Sequence, residues 1–507
     1  MQATPEQRRC LDLFNQGSLR IEAAAGSGKT TTLRYLMVRG ANHGRTLYTS
    51  FGRKNIEEAR SKFPRTVEVR TNHSLAYRAL GASWQKQRRL QGRITALELA
   101  QLCGWRDYTF APAAPVGVGA YAVLTTLQAF CQSADETLSP KHVGAYFTPN
   151  HQRDRAFEHR ALEWAAETWN RMMRSNDPLP ITHDVYLKAW ALQHPELGYD
   201  TVLLDEAQDT TELMVALLAE QRHTRLVVVG DRYQQIYGWR GAVNAMANFK
   251  TAAVGYLTQS FRFGPAIARA ANAALATYAE ADTRLKGLAS ITSRVGKVDE
   301  PRAVLARTNA GLIEELIKTQ LRFPNDRFAV VGGTAELEAL VHGAMDLMRG
   351  HRTTQRELAE FADWRSARTA AEDPSHAYLR PLVKLVNTYS PDLLLQQLLR
   401  AHGNERDETA CRRVFSTVHK AKGREFESVA LIDDFPERAP ETPKQTVDTW
   451  HTEEGNLLYV AMTRARRALD VHECPAALDA LQRYRRLTSR SAATTSLGAR
   501  RHHAGRR

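Results

Sequence analysis

The sequence predicts an α/β protein with two parallel sheets, each interrupted by a mainly helical insertion. Short apolar segments alternate with helical ones over the first 80 residues, and α/β patterning returns after residue 201 and again between 414 and 471. A glycine-rich turn follows the first strand, and an apolar strand further along ends in two acids. Parallel strands that end this way commonly carry a ligand at their carboxyl edge.

The individual elements follow from apolar patterning and from turn residues. In chain order we predict a strand at 19–23, a helix at 30–39, a strand at 46–51, a helix at 56–63 and a strand at 67–71. Gly40 closes the first of these helices. Further strands are predicted at 201–204, 225–229 and 303–306, and helices dominate 81–195 and 335–410.

These patterns divide the chain into two sheet domains, two insertions and a tail. The predicted ranges are 1–80 with 196–262 for the first sheet domain, 81–195 for its insertion, 263–334 with 412–482 for the second, 335–411 for its smaller insertion, and 483–507 for the tail. The tail carries eight arginines and no acid, and we expect it to be disordered.

Composition excludes some classes of protein and favours one kind of partner. The 507 residues are 43% hydrophobic and 24% charged, which is ordinary for a globular chain, and no apolar run is long enough to cross a membrane. Lysine and arginine number 69 against 55 acids, a net charge of +14. Such an excess favours nucleic acid as a partner, although solubility alone is the alternative. The five scattered cysteines form no CxxC pair, so we expect a reducing, cytosolic setting without disulfides or structural zinc.

The glycine-rich turn has the composition of a phosphate-binding loop. Gly26 and Gly28 let backbone N–H groups curve around phosphate oxygens, and the helix that follows adds its N-terminal partial charge. Lys29 is expected to reach the β- and γ-phosphates and Thr30 to bind magnesium. The strict loop pattern has glycine where this chain has Ala23, so a looser variant is required.

Two acids end the strand predicted at 201–204. Asp205 is expected to hold magnesium, and Glu206 to orient and deprotonate the attacking water. The alternative for such a pair is two solvated carboxylates at a strand end. Because a phosphate loop precedes them in the chain, we favour the catalytic interpretation.

Further motifs extend this pattern along most of the chain. They lie at 4–7, 26–30, 50–54, 71–74, 205–209, 230–242, 259–262, 417–426 and 456–465. With them the chain resembles superfamily 1A DNA helicases of the UvrD/Rep type, and most of all the helicase part of F-box DNA helicases. The resemblance implies two RecA-like P-loop NTPase domains with ATP bound between them. Only a few residues precede Gln7, so we expect no F-box ahead of the motor.

The resemblance also implies roles for residues that chemistry alone does not single out. Gln7 would read adenine, Gln234 would contact the γ-phosphate, and Arg262 and Arg464 would act as paired arginine fingers from the two sides of the cleft. The nucleotide-binding set it implies is Gln7, Gly26, Ser27, Gly28, Lys29, Thr30, Thr31, Phe261 and Glu425, in which Phe261 stacks on adenine and Glu425 touches the ribose.

A second set of implied residues contacts DNA. Phe51, Tyr237 and Trp239 would stack on unpaired bases, and His73 and His419 would contact the DNA track. For each aromatic residue the alternative is a place in the core, which Trp239 fits least because turns flank it. Zinc binding by the histidines is disfavoured since no cysteine pair accompanies either.

The function predicted from these observations is an ATP-dependent 3′–5′ DNA helicase, with ATP and Mg²⁺ as cofactors and single-stranded DNA and duplex junctions as partners. A role in repair, recombination or replication is expected, with a recombinase or replication factor as a further partner, in the cytoplasm or in a eukaryotic nucleus. One alternative is a translocase that strips recombinase filaments and unwinds little. Another is a P-loop switch, which the motifs from residue 259 onward disfavour because a switch needs no second motor domain.

Overall fold

The computed structural model describes residues 3–41, 44–50, 52–106, 116–145, 153–236, 246, 249, 253–279, 285–353, 355, 357–359, 361–372, 379–402, 408–436 and 449–504. For residues 53, 54, 402, 449–451 and 490–504 only the backbone is described. The chain folds into two compact units: residues 1–23 with 28–257, and residues 24–27 with 258–507. No helix in the described part of the chain combines the length and hydropathy needed to span a bilayer.

The first unit is built on a six-stranded parallel sheet. Its strands are β1 (Leu19–Ala23), β2 (Thr46–Ser50), β3 (Val67–Thr71), β4 (Thr201–Asp205), β5 (Arg225–Gly230) and β6 (Ala253–Leu257), in the spatial order β3-β2-β4-β5-β1-β6. Every pairing is parallel. The carboxyl ends of β1, β4 and β5 therefore share one edge, because the strands run in one direction.

Helices cover both faces of this sheet and form its insertion. Around the sheet lie α1 (Pro5–Phe14), α2 (Lys29–Arg39), α3 (Arg53–Lys62), α4 (Asn72–Ala76) and α10 (Glu212–Ala219). The insertion contains α5 (Ala82–Lys86), α6 (Ala96–Cys103), α7 (Val116–Gln132), α8 (Arg155–Met173) and α9 (His183–Ala191). Its hydrophobic core also includes residues of α4 and α10. A π-helical turn at Tyr77–Gly81 joins α4 to α5.

A buried arginine, Arg89, binds the backbone of the segment that joins α8 to α9 in the insertion. Arg89 is 6% exposed, and its guanidinium donates to the carbonyl oxygens of Leu179 at 3.0 Å, Arg174 at 2.8 Å and Met172 at 2.9 Å. Buried polar groups are stable only when they are hydrogen-bonded. The side chain thus satisfies three backbone acceptors between the end of α8 and the segment that leads to α9.

The second unit carries another parallel sheet. Its strands are β7 (Arg294–Val295), β8 (Ala303–Ala306), β9 (Phe328–Val330), β10 (Arg413–Thr417), β11 (Phe426–Leu431) and β12 (Ala465–Asp470), in the order β7-β12-β11-β8-β10-β9. Its helices are α11 (Pro265–Tyr278), α12 (Asn309–Arg322), α13 (Ala335–Met348), α14 (Trp364–Ala370), α15 (Arg380–Thr388), α16 (Pro391–His402), α17 (Val418–Ala421), α18 (Thr449–Met462) and α19 (Pro475–Ala504). The predicted fold class, two parallel sheets with helical insertions, is confirmed.

The end of the first sheet domain and the tail both differ from the sequence-based expectation. The predicted first domain runs to residue 262, but the chain joins the second unit after Leu257, because Ser260 N–H donates to the Lys286 carbonyl and Lys286 N–H donates to that of Thr258. The segment expected to be disordered from Arg483 is helical in backbone as far as Ala504. It contains no proline, and its arginine, alanine and leucine content favours helix.

Candidate active site

The phosphate-binding loop lies between β1 and α2. Gly26 and Gly28 have φ of +70° and +78°, a conformation that residues with a Cβ rarely adopt. Gly28 is the N-cap of α2, which begins at Lys29, so backbone N–H groups at the helix start are directed toward the loop. The buried Ser27 hydroxyl has no hydrogen-bond partner among the described residues. A buried hydroxyl without a partner is costly, and a phosphate oxygen would satisfy it.

Asp205 is the end of β4 and receives three hydrogen bonds. Its Oδ2 accepts from the Tyr48 hydroxyl at 2.7 Å and from Thr30 Oγ1 at 3.0 Å, and its Oδ1 accepts from Glu206 N–H at 2.8 Å. Burial raises the pKa of Asp205, and the neighbouring charge of Glu206 adds to this, whereas Lys29 and the hydrogen bonds oppose it. The sequence-based prediction included Thr30 and Asp205 but missed Tyr48, which an apolar strand pattern does not distinguish from a core residue.

The oxygen donors of Thr30 and Asp205 fit a magnesium ion. Mg²⁺ prefers oxygen ligands and commonly takes one or two from the protein, with the rest from water and phosphates. Within the described ranges, no group of three or more histidine, cysteine or acidic side chains could hold a metal by itself. A hydroxyl and a carboxylate in contact beside a phosphate loop are therefore a suitable, partial set of ligands.

Lys29 and Glu206 form an ion pair beside this carboxylate. The Lys29 Nζ lies 2.8 Å from Glu206 Oε2, and the lysine side chain is only 11% exposed. Burial lowers the pKa of Lys29, but the carboxylates of Glu206, Asp231 and Asp205 outweigh it, so the net pKa is raised and the ammonium stays charged. Glu206 has φ +54° and ψ +44°, a strained conformation of the kind that concentrates at functional sites.

The residues that follow β5 add further polar side chains to this site. Asp231 Oδ2 accepts from Gln234 Nε2 at 2.7 Å, and Gln234 is buried. Gln208, which the sequence-based prediction did not include, donates to Glu206 Oε2 at 2.5 Å and accepts from Asp231 N–H at 3.1 Å. Its place in the motif at 205–209 was the available signal, and position alone does not assign a role.

Gln7 is placed by the capping of α1. Thr4 and Gln7 form a capping box, and Gln7 Nε2 also donates to Thr32 Oγ1 on α2 at 3.2 Å. The side chain is thus held against the helix that follows the phosphate loop. Thr31, the neighbour of Thr32, is exposed.

Both predicted arginine fingers and Glu425 lie in the second unit. Arg262 Nε donates to Glu425 Oε1 at 2.7 Å, and its Nη1 donates to the Thr463 carbonyl at 2.9 Å. Arg464 is 1% exposed and donates to the Val460 carbonyl at 2.9 Å and to Thr463 Oγ1 at 3.2 Å. The implied placement of the two arginines on separate domains is therefore corrected, because Thr463 contacts both. Glu425 pairs with Arg262 here, and Phe261 is 42% exposed.

The predicted DNA-contact residues are only partly described. Phe51, Tyr237 and Trp239 lie outside the described residues. His73 lies near the start of α4, and its Nε2 is 3.0 Å from Oδ1 of Asp184 in α9. His419 is half-buried in α17.

Comparison with known proteins assigns the family. The model of the UvrD/REP helicase N-terminal domain matches residues 3–253, and that of the UvrD-like helicase C-terminal domain matches residues 349–474. The chain belongs to the UvrD/REP helicase family. The recognition made from the motifs is confirmed.

Curated relatives agree with this family. The F-box DNA helicase 1 of Gallus gallus is 29% identical over 508 residues, covering 92% of this chain and 48% of the relative. The F-box DNA helicase protein 1 of Schizosaccharomyces pombe is 27% identical, covering 94% and 58%. The ATP-dependent DNA helicase PcrA of Leuconostoc citreum is 26% identical over 376 residues, covering 63% and 48%. The chain thus spans about half the length of these relatives.

Proposed function

We propose that this chain is the motor of an ATP-dependent DNA helicase that moves 3′–5′ on single-stranded DNA and unwinds duplex DNA. The observation that carries the proposal is the meeting of Lys29, Thr30, Asp205 and Glu206 at one edge of a parallel sheet. The cation for the phosphates, the metal ligands and the general base therefore lie within reach of one another. Membership of the UvrD/REP family supports DNA as the track.

Hydrolysis begins with a change of partner for Lys29. In this structure its ammonium is bound by Glu206. When ATP binds, Lys29 turns to the β- and γ-phosphates, whose charge exceeds that of one carboxylate. Glu206, released from Lys29, then orients a water molecule and accepts its proton. Thr30 and Asp205 would hold Mg²⁺, which neutralises charge on the phosphates.

The remaining polar groups act on the charge that develops during phosphoryl transfer. Arg262 and Arg464 supply guanidinium groups, whose fixed hydrogen bonds limit their reorganisation. Gln234 contacts the γ-phosphate and reports its presence to the DNA-binding segment that follows. Gln7 and Phe261 hold the adenine, Thr31 adds to the nucleotide contacts, and Glu425 binds the ribose.

DNA binding is assigned to two kinds of side chain. Phe51, Tyr237 and Trp239 stack on bases, each contributing about 1–3 kcal/mol. His73 and His419 contact the DNA strand. The domain ranges predicted above, corrected at residue 257, are the proposed motor domains and insertions.

The biological setting follows from the proposed track. The chain would act on single-stranded DNA and junctions in repair, recombination or replication, in the cytoplasm or in a eukaryotic nucleus, with a recombinase or replication factor as a further partner. Removal of recombinase filaments is the alternative activity. The two differ in product, so a strand-displacement assay run beside a filament-disassembly assay separates them.

The decisive experiment is ATP hydrolysis with and without single-stranded DNA, for the wild type and for Lys29→Ala. The wild type is expected to hydrolyse ATP faster with DNA, and the variant to lose hydrolysis because the phosphates lose their direct cation. Lys62→Ala, an exposed lysine paired with Glu58, is the matched control. Near-normal hydrolysis by pure Lys29→Ala protein would refute the assignment.

A further inference from the structure

One buried amide links the end of β4 to the end of β5. Gln208 has no exposed surface and lies in the turn after β4. Its Oε1 accepts from the backbone N–H of Asp231 at 3.1 Å. A backbone N–H can only donate, so this bond fixes which end of the amide is oxygen. The Nε2 must therefore be the atom 2.5 Å from Glu206 Oε2, to which it donates.

The link continues beyond Asp231. Asp231 Oδ2 accepts from Gln234 Nε2 at 2.7 Å, and its Oδ1 accepts from Tyr233 N–H at 3.1 Å. The second bond holds the turn that carries Gln234. An unbroken polar path thus runs from the carboxylate of Glu206 through Gln208 and Asp231 to the amide of Gln234.

The backbone leaves room for this amide at Gly230. A Cβ built on Gly230 would lie 2.6 Å from Gln208 Oε1 and 3.2 Å from the Gln208 backbone nitrogen. Both distances are tighter than ordinary Cβ contacts. The absence of a side chain at Gly230 is therefore what lets Gln208 reach Asp231.

Lys29 and Gln208 both donate a hydrogen bond to Glu206 Oε2, and ATP binding affects the two bonds differently. Under the proposed function Lys29 leaves for the phosphates. Gln208 is anchored to backbone, so it remains. After Lys29 departs, the Gln208 amide still donates to the Glu206 carboxylate and can hold its orientation.

We propose that Gln208 is a positioning residue that holds Glu206 for attack on ATP and couples its orientation to Gln234. This inference rests on the proposed ATPase. Movement of Gln234 on contact with the γ-phosphate shifts Asp231, and Gln208 transmits the shift to Glu206. The competing explanation is that Gln208 only ties β4 to β5, in which case its loss reduces stability and leaves turnover per folded molecule unchanged.

The test compares Gln208→Met with a matched variant, Gln221→Met. Gln221 makes the same kinds of hydrogen bond, because its Nε2 donates to the Pro195 and Leu217 carbonyls and its Oε1 accepts from Leu197 N–H. None of these partners is one of the two acids at the end of β4. The measurements are maximal turnover with and without single-stranded DNA, direct binding of a fluorescent ATP analogue, and the thermal midpoint.

For Gln208→Met we expect DNA-stimulated turnover to fall by about tenfold or more, a loss on the scale of a misplaced general base. The ratio of stimulated to basal turnover should fall as well, and binding of the ATP analogue should change by less than about threefold, because Lys29 and the loop are intact. Gln221→Met should change only the thermal midpoint.

A second variant covers the case in which Gln208→Met does not fold. Gln208→Glu keeps the acceptor for Asp231 N–H but sets a carboxylate against Glu206, and it should lose turnover in the same way. Turnover and stimulation within about twofold of wild type in the folded variants would overturn the positioning role. A wild type without DNA-stimulated turnover would instead remove the proposed function, a different and recognisable result.

Discussion

The hydroxyl of Tyr48 donates a hydrogen bond to Asp205 Oδ2 at 2.7 Å, and both side chains are buried. The bond reaches from β2 to the neighbouring strand β4, which pairs Ser50 with Asp205 in register. It occupies one lone pair of the carboxylate from the interior of the sheet. Thr30 and the Glu206 N–H also donate to this carboxylate, and its remaining acceptor position is left for a metal ion.

Tyr48→Phe is expected to raise the Mg²⁺ concentration needed for half-maximal ATP hydrolysis by about five- to tenfold. The change removes one hydrogen bond to a charged group while the ring keeps its place 4.8 Å from Phe63. Magnesium titrations of hydrolysis, with Mn²⁺ binding measured directly, provide the check. Tyr121→Phe, at an exposed tyrosine, is the control, and equal metal dependence for both variants would show that the hydroxyl does not orient Asp205.

Glu206→Gln is expected to keep nucleotide binding and slow hydrolysis by about 10²- to 10⁴-fold, because the attacking water loses its base. Single-turnover hydrolysis and analogue binding separate the two effects. The exposed Glu212→Gln serves for comparison. Loss of analogue binding by Glu206→Gln would make Glu206 a structural partner of Lys29.

Asp434 is expected to make stability depend on pH between about 4 and 6. Burial raises the pKa of Asp434 to about 6, although the N–H groups of Arg307 and Thr308 oppose this. In that window the folded protein holds a proton that the unfolded chain releases, so stability falls as pH rises and levels off above pH 6. Asp434→Asn should lack this fall.

Urea unfolding from pH 4 to 8 tests the prediction for Asp434. The stability advantage of the wild type over Asp434→Asn should shrink as pH rises through the window. Asp433→Asn, at the exposed neighbour, should follow the wild-type profile. A constant difference between wild type and Asp434→Asn would contradict the raised pKa.

Removal of residues 483–507 is expected to leave DNA-independent hydrolysis unchanged and to weaken DNA binding at low salt. The segment carries eight arginines without an acid, and each phosphate contact releases a counter-ion. The slope of log affinity against log salt should flatten by about one unit per lost contact. Arg485→Gln with Arg486→Gln, two exposed positions, should give an intermediate slope. Identical slopes would place the DNA contacts elsewhere.

Strand positions were the most predictable part of this molecule. Residues 19–23, 67–71 and 303–306 form strands with the predicted bounds. The first two show alternating apolar residues, and the third is a short, fully apolar run. The helix at 483–504 was missed, since high charge without apolar periodicity is read as disorder even where helix formers dominate.

Within the site, the residues expected to contact the ligand were predictable from the sequence. The residues that hold those side chains in place were not. Lys29 and Thr30 follow from the glycine-rich turn, and Asp205 and Glu206 follow from their position at the end of an apolar strand. Tyr48 matters through a partner 157 positions away, and no local pattern reports such a pairing. The hydrogen bond from Arg262 to Thr463 likewise depends on the chain passing from the first unit to the second after Leu257.

The bonds of Arg89 bear on how the helical insertion tolerates a changing ionic environment. Its three acceptors are backbone carbonyls, two of the three bonds being buried. Dissolved ions screen pairs of exposed charges far more than buried hydrogen bonds. A rise in ionic strength would therefore leave these three bonds largely intact, while it weakens the binding of a polyanion to exposed basic side chains.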